Sequence, residues 1–444
     1  MSDTRNLKYA EQFSRLIAHE TVSYKGQTDL SKFYAFHELL KKEFPALFSA
    51  CEFEEFNGSI LLTWRGRDSS ILPVLFMNHH DVVEATGDWT YPPFSGTIAD
   101  GKIWGRGTID TKGGLWAMLC AANELCEGGF VPARDVYFMS TSCEETTGAG
   151  ADTISKTLVE RKVRFSMVLD EGGMILDEPM AGVKGYFAMV GVGEKGYTDL
   201  KFTARSQGGH ASTPPKNSPL VRLGKFMAAA EKSSVFKVRM SPAVAATLKT
   251  LSGGMTGPLK FILGHPKFFS PLLCRVMPST SATAGAMLKT TLAFTMAQGS
   301  GAPNVLPEEA HVIANMRYSH HQGGRASVEA ITKLAKKHGV ETEVIMSGFD
   351  SSLSDHEGSA FKLVREAVDV TFEGKVKTSP YVMNAASDSR FMSRVCDSCL
   401  RFAPFRIDQS QLASVHAIDE NLDVCTLAPA VDFYKYLIEN CEKI

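Results

Sequence analysis

The chain lacks a long uncharged apolar run and an excess of basic residues, and each absence excludes a class of protein. No apolar stretch in its 444 residues reaches the roughly 18 residues needed to cross a bilayer, and residues 1–17 lack the apolar core of a signal peptide. A net charge of -2 gives no electrostatic reason for binding nucleic acid or an anionic membrane. We therefore expect a cytoplasmic protein that has no nucleic-acid or membrane partner.

The chain also lacks a regular cysteine pattern. Its nine cysteines are scattered and odd in number, which argues against a disulfide framework and favours a reducing compartment. Cys396 and Cys399 form one C-x-x-C sequence, but no second pair accompanies it. A zinc ribbon or a redox role is the alternative there, and two ordinary thiols are the preferred interpretation.

What is present is an alternation of buried-type strands and helices. The runs ILPVLFMN (71–78), DVYFMSTS (135–142) and FSMVLD (165–170) are nearly continuous apolar segments, as expected for parallel strands covered on both faces. Segments with helical spacing, such as residues 112–129, lie between them. The pattern predicts an α/β fold with a mostly parallel sheet sandwiched by helices.

The pattern changes near residue 192, where strands alternate apolar and polar residues as half-exposed strands do. We predict a catalytic domain in two parts, 1–191 and 350–444, with a smaller α+β domain inserted at 192–349. Residues 235–285 are punctuated by Gly and Pro yet are rich in Leu, Phe and Met. A packed helical elaboration is the preferred interpretation of this segment, and a lid over the site is the alternative.

Polar residues with metal-binding chemistry follow the apolar runs. His79 and Asp81 are one residue apart, so in a strand they share a face, and Asp81 can accept the second ring N–H of His79. Asp110 lies in a glycine-dense turn before a helix, where it can bind a metal, cap the helix, or do both.

Glu144 and Glu145 are adjacent at the end of a buried-type strand, where two carboxylates repel unless they share a cation or a proton. One of them can bind a metal while the other accepts a proton from water. Asp170 ends another such strand. The distant His416 taken alone is most often a structural residue, but it can supply the nitrogen ligand that a site otherwise rich in oxygen lacks. The strand ends predict a metal-dependent hydrolase, because ligands bind at the carboxyl ends of strands in open α/β sheets.

An ordered set of sequence motifs relates the chain to a known family of hydrolases. The segments HHDVV, WTYPPFSGTIADGKIWGRGTIDTKGG, CEETTGAGA, LDEGG, GGHASTPP, NVLPEEAHVIANMR, SDSR and VHAIDE occur in this order. The chain thereby resembles the co-catalytic zinc metallopeptidase family of aminoacylase, glutamate carboxypeptidase and succinyl-diaminopimelate desuccinylase. Its long insertion is similar to the carboxypeptidase S and N-acyl amino acid hydrolase branch.

The resemblance implies two Zn²⁺ per subunit, bridged by Asp110, although Mn²⁺ or Co²⁺ also suits a carboxylate-rich site. The implied metal ligands are His79, Asp110, Glu145, Asp170 and His416. It further implies that Glu144 is the general base and that Asp81 orients His79.

The resemblance also assigns residues of the inserted domain, which it implies to be a lid and dimerisation domain of a homodimer. His210 would reach the partner's site and stabilise the oxyanion, and Arg317 and Asn304 would hold the substrate's carboxylate. An arginine suits that role because its planar fork matches a carboxylate.

The predicted function is hydrolysis of an amide or peptide bond next to a free carboxylate in a small peptide or N-acyl amino acid. Such an enzyme is a carboxypeptidase, a dipeptidase or an N-acyl amino acid hydrolase. Two alternatives stay open: a non-peptide amidase or deacetylase of an amino acid precursor, and a non-catalytic relative that binds metal or peptide.

Overall fold

The computed structural model describes residues 2–348 and 352–444 of the protein, with the side chains of residues 2 and 3 excepted. The strands in chain order are β1 (Cys51–Phe56), β2 (Ser59–Trp64), β3 (Val74–His79), β4 (Thr97–Ala99), β5 (Lys102–Trp104), β6 (Val136–Thr141), β7 (Met167–Asp170), β8 (Ile175–Asp177), β9 (Tyr186–Glu194), β10 (Gly196–Arg205), β11 (Gly209–His210), β12 (Thr291–Gln298), β13 (Val305–Leu306), β14 (Glu309–Tyr318), β15 (Glu341–Ser347), β16 (Val376–Met383), β17 (Cys399–Arg401), β18 (Arg406–Ile407) and β19 (Asn421–Asp423).

The helices in chain order are α1 (Ser2–Ile17), α2 (Ser31–Glu43), α3 (Pro45–Ala50), α4 (Lys112–Glu127), α5 (Ala149–Glu160), α6 (Pro219–Lys232), α7 (Pro242–Ser252), α8 (Gly257–Gly264), α9 (Ser270–Thr280), α10 (Ala282–Leu288), α11 (Gly324–Lys337), α12 (Ser359–Thr371), α13 (Ser389–Met392), α14 (Gln409–Ser414) and α15 (Leu427–Glu439). Within the described ranges, none of them is both long and apolar enough to cross a bilayer.

A ten-stranded sheet runs in the order β1-β2-β6-β3-β7-β17-β9-β8-β18, with β16 paired to β9. Its centre is parallel, because β3 pairs in parallel with both β6 and β7. Successive side chains of a strand point to opposite faces. Accordingly, Val74 and Phe76 pack into the core formed with α1, α4 and α15, whereas Leu75 and Met77 pack against α5 on the other face. The predicted α/β sheet sandwiched by helices is confirmed.

A separate antiparallel sheet has the order β12-β14-β10-β15. Helices α6 and α11 cover one of its faces, where Phe202, Phe226 and Ile331 share a core. The strands of this sheet and its two covering helices follow in the order β10, α6, β12, β14, α11 and β15, which is the predicted α+β arrangement. The boundaries at 191/192 and 349/350 stay predictions, and the second lies outside the described residues.

The apolar segment at 235–285 forms the short helices α7 to α10. They pack against the large sheet at β9, where Leu248, Leu263 and Met277 share a cluster with Phe187. The Thr247 hydroxyl donates to the Pro380 carbonyl of β16 at 2.6 Å, which fixes α7 to that strand. The segment is therefore a packed helical elaboration of the larger sheet.

Candidate active site

The site begins at one edge of the large sheet, where three neighbouring parallel strands end. His79 is the last residue of β3 and lies opposite Thr141, the last residue of β6. Asp170 is the last residue of β7, on the other side of β3. Because the carboxyl ends of parallel strands share an edge, the turn that carries Glu144 and Glu145 lies beside His79 and Asp170.

Two imidazoles and two carboxylates converge there. His79 Nε2 lies 3.1 Å from Asp110 Oδ1, and His416 Nε2 lies 3.0 Å from Asp110 Oδ2. His416 Nε2 also lies 3.1 Å from Glu145 Oε1. One candidate ligand atom each from His79, Asp110 and Glu145 falls within 4.8 Å of the others. Asp110 therefore presents one oxygen to each imidazole.

This donor set fits a metal centre. Imidazole nitrogen and carboxylate oxygen are ligands that Zn²⁺ accepts, and oxygen-rich sites also accept Mn²⁺. Asp110 and Glu145 share one imidazole, and their like charges repel unless a proton or a cation lies between them. Hydrogen bonds from His416 and His79 outweigh burial and hold the pKa of Asp110 below its ordinary value. The same atoms can exchange these protons for cations.

Asp81 connects the cluster of His79, Asp110, Glu145 and His416, called here the metal-type cluster, to the turn that carries Glu144 and Glu145. The main-chain N–H groups of Glu144 and Glu145 donate to its two oxygens at 3.0 and 3.1 Å, and the Ser23 hydroxyl donates at 2.7 Å. His79 Nδ1 lies 2.9 Å from the main-chain carbonyl of Asp81 and 3.5 Å from its carboxylate. The backbone oxygen is thus the nearer acceptor for the ring N–H, where the sequence predicted the carboxylate.

The turn that carries Asp110 is held by a buried glutamate. Both oxygens of Glu420 accept N–H groups, from Gly107, Ile109, Asp110 and the Arg106 guanidinium, at 2.8 to 3.1 Å. Gly107 has a φ of 91°, and a Cβ there would lie 2.8 Å from Val82. Helix α4 begins at Lys112 with Thr111 as its N-cap, so the interpretation of Asp110 as a helix cap is wrong.

Glu144 is nearly buried, and burial raises its pKa well above the ordinary value for a glutamate. Arg390 Nη1 lies 3.7 Å from Glu144 Oε1 and opposes that shift. Burial also raises the pKa of Glu145, against a hydrogen bond from His416. The two adjacent carboxyls therefore have different partners, one an arginine and the other an imidazole.

Asp170 is buried, and both its oxygens accept main-chain N–H groups, from Glu171 at 2.9 Å and Ser389 at 2.8 Å. Burial, and next the charges of Asp170 and Asp110, raise the pKa of Glu171 well above its ordinary value. Burial also raises the pKa of Asp388 to about 7, and the Thr141 hydroxyl donates to it at 2.6 Å.

Sequence reasoning gave no role to Glu171, Asp388, Arg390 or Ser23. Glu171, Asp388 and Arg390 belong to the motifs LDEGG and SDSR, so these motifs could have indicated them as site residues.

His210, Asn304 and Arg317, which the sequence predicted for the substrate side, lie on the smaller antiparallel sheet or at the two-stranded ribbon formed by β11 and β13. His210 is exposed on β11, beside Asn304, whose carbonyl accepts the Ala211 N–H at 3.0 Å. Arg317 lies on β14, where its guanidinium donates to Asn315 at 2.9 Å and covers the Tyr197 ring at 5.1 Å. Among the residues that the structure describes, none of the three is hydrogen-bonded or ion-paired to the metal-type cluster.

The fold and the cluster together define a metal-dependent hydrolase built on an α/β sheet. The chain matches the model of peptidase family M20/M25/M40 over residues 75–440. It therefore belongs to that family, which confirms the resemblance found in the sequence, and it is a hydrolase that acts on amide bonds.

Individual relatives agree with this assignment. The chain is 31% identical over 453 residues to a probable carboxypeptidase S-like protein of Dictyostelium discoideum, covering 99% of this chain and 86% of the relative. It is 32% identical over 391 residues to the human N-fatty-acyl-amino acid synthase/hydrolase PM20D1, covering 86% and 77%. The fold is similar to that of an M20 family metallo-carboxypeptidase from Sulfolobus solfataricus, with a TM-score of 0.70, 16% identity and coverage of 97% and 98%.

Proposed function

We propose that the protein is a two-metal amidohydrolase that releases an amino acid from an N-acyl amino acid or a short peptide. The observation that carries the proposal is Asp110, whose two oxygens face His79 and His416 separately, with Glu144 beside them. The activities named for the relatives, a carboxypeptidase and an N-fatty-acyl-amino acid hydrolase, support an amide next to a free carboxylate.

In this proposal Asp110 would help to hold each of two Zn²⁺ ions, and Mn²⁺ or Co²⁺ is an alternative occupant. His79 and Asp170 would hold one ion, and Glu145 and His416 would hold the other. Bound cations supply a Lewis acid that polarises the scissile carbonyl and makes a water more acidic. Asp81 keeps the His79 ring in place through its main-chain carbonyl and keeps Glu144 in place through its carboxylate.

Glu144 is the proposed general base. Its carboxylate takes a proton from the attacking water and delivers it to the nitrogen of the departing amine. A base works best when its pKa lies near the operating pH, and burial moves the pKa of Glu144 upward, in that direction. The Arg390 guanidinium opposes this shift because its positive charge favours the carboxylate form.

Substrate recognition is proposed to come from the inserted domain at 192–349. Arg317 and Asn304 hold the carboxylate of the substrate, and His210 stabilises the oxyanion of the tetrahedral intermediate. His210 is exposed at the end of a ribbon, a position that suits a residue supplied to a partner's site in a homodimer. All nine thiols are free, which supports our placement of the protein in the cytoplasm.

The direct test is hydrolysis of matched amide pairs by the metal-loaded protein. One member of each pair is an N-acyl amino acid or dipeptide, and the other has its carboxylate converted to a carboxamide. We expect cleavage of the acids and little cleavage of the carboxamides. Replacement of Arg317 by Met should raise KM for the acids, whereas Arg325→Met, at a highly exposed helix position, is the matched control. Equal cleavage of acids and carboxamides would refute the carboxylate requirement.

Two further variants separate the base from the ligands. Glu144→Gln should retain both metals and lose kcat by several orders of magnitude, because the amide cannot accept the proton. His416→Ala should lose metal, measured by mass spectrometry after dialysis, whereas His265→Ala, at the exposed residue that follows α8, should retain it. An active Glu144→Gln protein would remove the base assignment.

A further inference from the structure

The chain contains a long segment without a single acidic residue. Residues 232–307 include eight Lys or Arg and no Asp or Glu, although the whole chain has a net charge of -2. The near-neutral total therefore hides an uneven distribution, and a prediction from net charge alone overlooks it. Helices α7 to α10 lie within this segment.

The outer face of helices α8 and α9 is both apolar and exposed. Phe268 is 80% exposed, Phe261 is 62% exposed and Leu259 is 58% exposed, and Leu272 and Val276 lie one turn apart on α9. The Phe261 and Phe268 rings both contact the Phe269 ring, at 5.8 and 4.9 Å between centroids, which joins the two helices into one surface. We call this set of exposed side chains the α8–α9 surface.

Basic side chains alternate with these apolar ones. Lys260 lies between Leu259 and Phe261, Lys267 precedes Phe268, and Arg275 precedes Val276. All three are exposed, and they form no ion pair with any residue in the described ranges. The opposite sides of the helices are anchored, because Leu263, Leu273 and Met277 are buried against the large sheet. These buried contacts therefore hold the α8–α9 surface in place on the large sheet.

We propose that the α8–α9 surface binds the surface of an anionic lipid bilayer. Phenylalanine and leucine side chains enter the boundary between headgroups and acyl chains, while lysine and arginine pair with anionic headgroups. A second copy of this chain is a poor occupant, because a two-fold interface places the same basic residues against one another. The inference goes beyond the proposed function and does not depend on it.

Cosedimentation with sucrose-loaded vesicles tests the proposal on the full-length protein. We expect binding to mixed phosphatidylcholine and phosphatidylserine vesicles, weak binding to pure phosphatidylcholine, and release at high salt. The triple variant Lys260→Glu, Lys267→Glu and Arg275→Glu should lower the partition coefficient by about 100-fold or more, given the usual gain per basic residue. Phe261→Ser with Phe268→Ser should lower it by about tenfold or more.

Matched controls keep the result specific. The triple variant Lys333→Glu, Lys336→Glu and Lys337→Glu makes the same charge change on exposed positions of α11, and it should bind like the wild type. Hydrolysis of a water-soluble N-acyl amino acid should be unchanged in all these variants, so membrane binding and catalysis are scored separately. Absence of binding to anionic vesicles overturns the proposal. Equal binding to neutral vesicles overturns it too. So does a protein that does not bind vesicles but self-associates, if the self-association is lost in the Phe261→Ser and Phe268→Ser variant.

Discussion

Glu420 holds the turn that carries Asp110 through four hydrogen bonds. Its carboxylate is fully buried and accepts the N–H groups of Gly107, Ile109 and Asp110, together with one from the buried Arg106 guanidinium. In Glu420→Gln one oxygen becomes an NH₂ group that faces donors, and Arg106 loses its charge partner. Breaking a buried ion pair on one side costs about 3–5 kcal/mol, so we expect a loss of about that size in the free energy of unfolding.

Glu420→Gln should also weaken metal binding, because the N–H group of Asp110, a proposed metal ligand, is one of the donors that Glu420 holds. A supporting residue of this kind typically changes metal affinity by about 10–100-fold. Urea unfolding of the metal-free proteins, followed by circular dichroism, gives the stability, and titration against a competing chelator gives the affinity. The control is Glu373→Gln, an exposed surface partner of Lys375, which should change neither quantity. A Glu420→Gln protein with wild-type stability and wild-type affinity would show that the turn does not need the carboxylate.

Two other predictions concern the same cluster. Hydrogen bonds that His416 donates to Asp110, and next to Glu145, raise its pKa to about 10 in the metal-free protein. Metal binding near neutral pH must therefore release a proton, and calorimetry in buffers of different ionisation enthalpy should detect it; a heat independent of the buffer would contradict this. The stability that these bonds add to the metal-free protein is full below the ordinary pKa of histidine and is lost as the pH rises through about 10. Asp81→Asn replaces an acceptor of the Glu144 and Glu145 N–H groups, so kcat/KM should fall by about 10–100-fold. Unchanged kinetics would leave Asp81 without a positioning role.

Much of the fold and part of the site could be predicted from local sequence. The apolar runs before His79, Glu144 and Asp170 identify buried strands, and parallel pairing brings such strand ends to one edge without further information. Helix and strand periodicities likewise gave the α+β order of the smaller sheet. These features depend on residues close together in the chain, so local patterns are enough to indicate them.

The remainder depends on contacts between distant segments. Glu420 reaches the Asp110 turn across 310 residues, and no spacing rule connects the two. The identity of the acceptor for the His79 ring N–H depends on how the chain bends after β3, which a strand periodicity does not specify. His210, Asn304 and Arg317 were assigned by resemblance, and their roles stay predictions.

Arg390 and Asp388 provide a last prediction, in which two neighbouring charges act on Glu144 in opposite directions. The Arg390 guanidinium lies 3.7 Å from Glu144 and lowers its pKa, whereas the charge of Asp388 raises it. Arg390→Met should therefore move the acidic limb of the kcat/KM profile to higher pH, and Asp388→Asn should move it to lower pH. An opposite charge at this distance changes a carboxyl pKa by about 1 unit or more, which a pH profile resolves. General damage to the site lowers activity at every pH. It cannot move the acidic limb to higher pH in one variant and to lower pH in the other. Shifts of the same sign in both variants would mean that these charges do not set the protonation of Glu144.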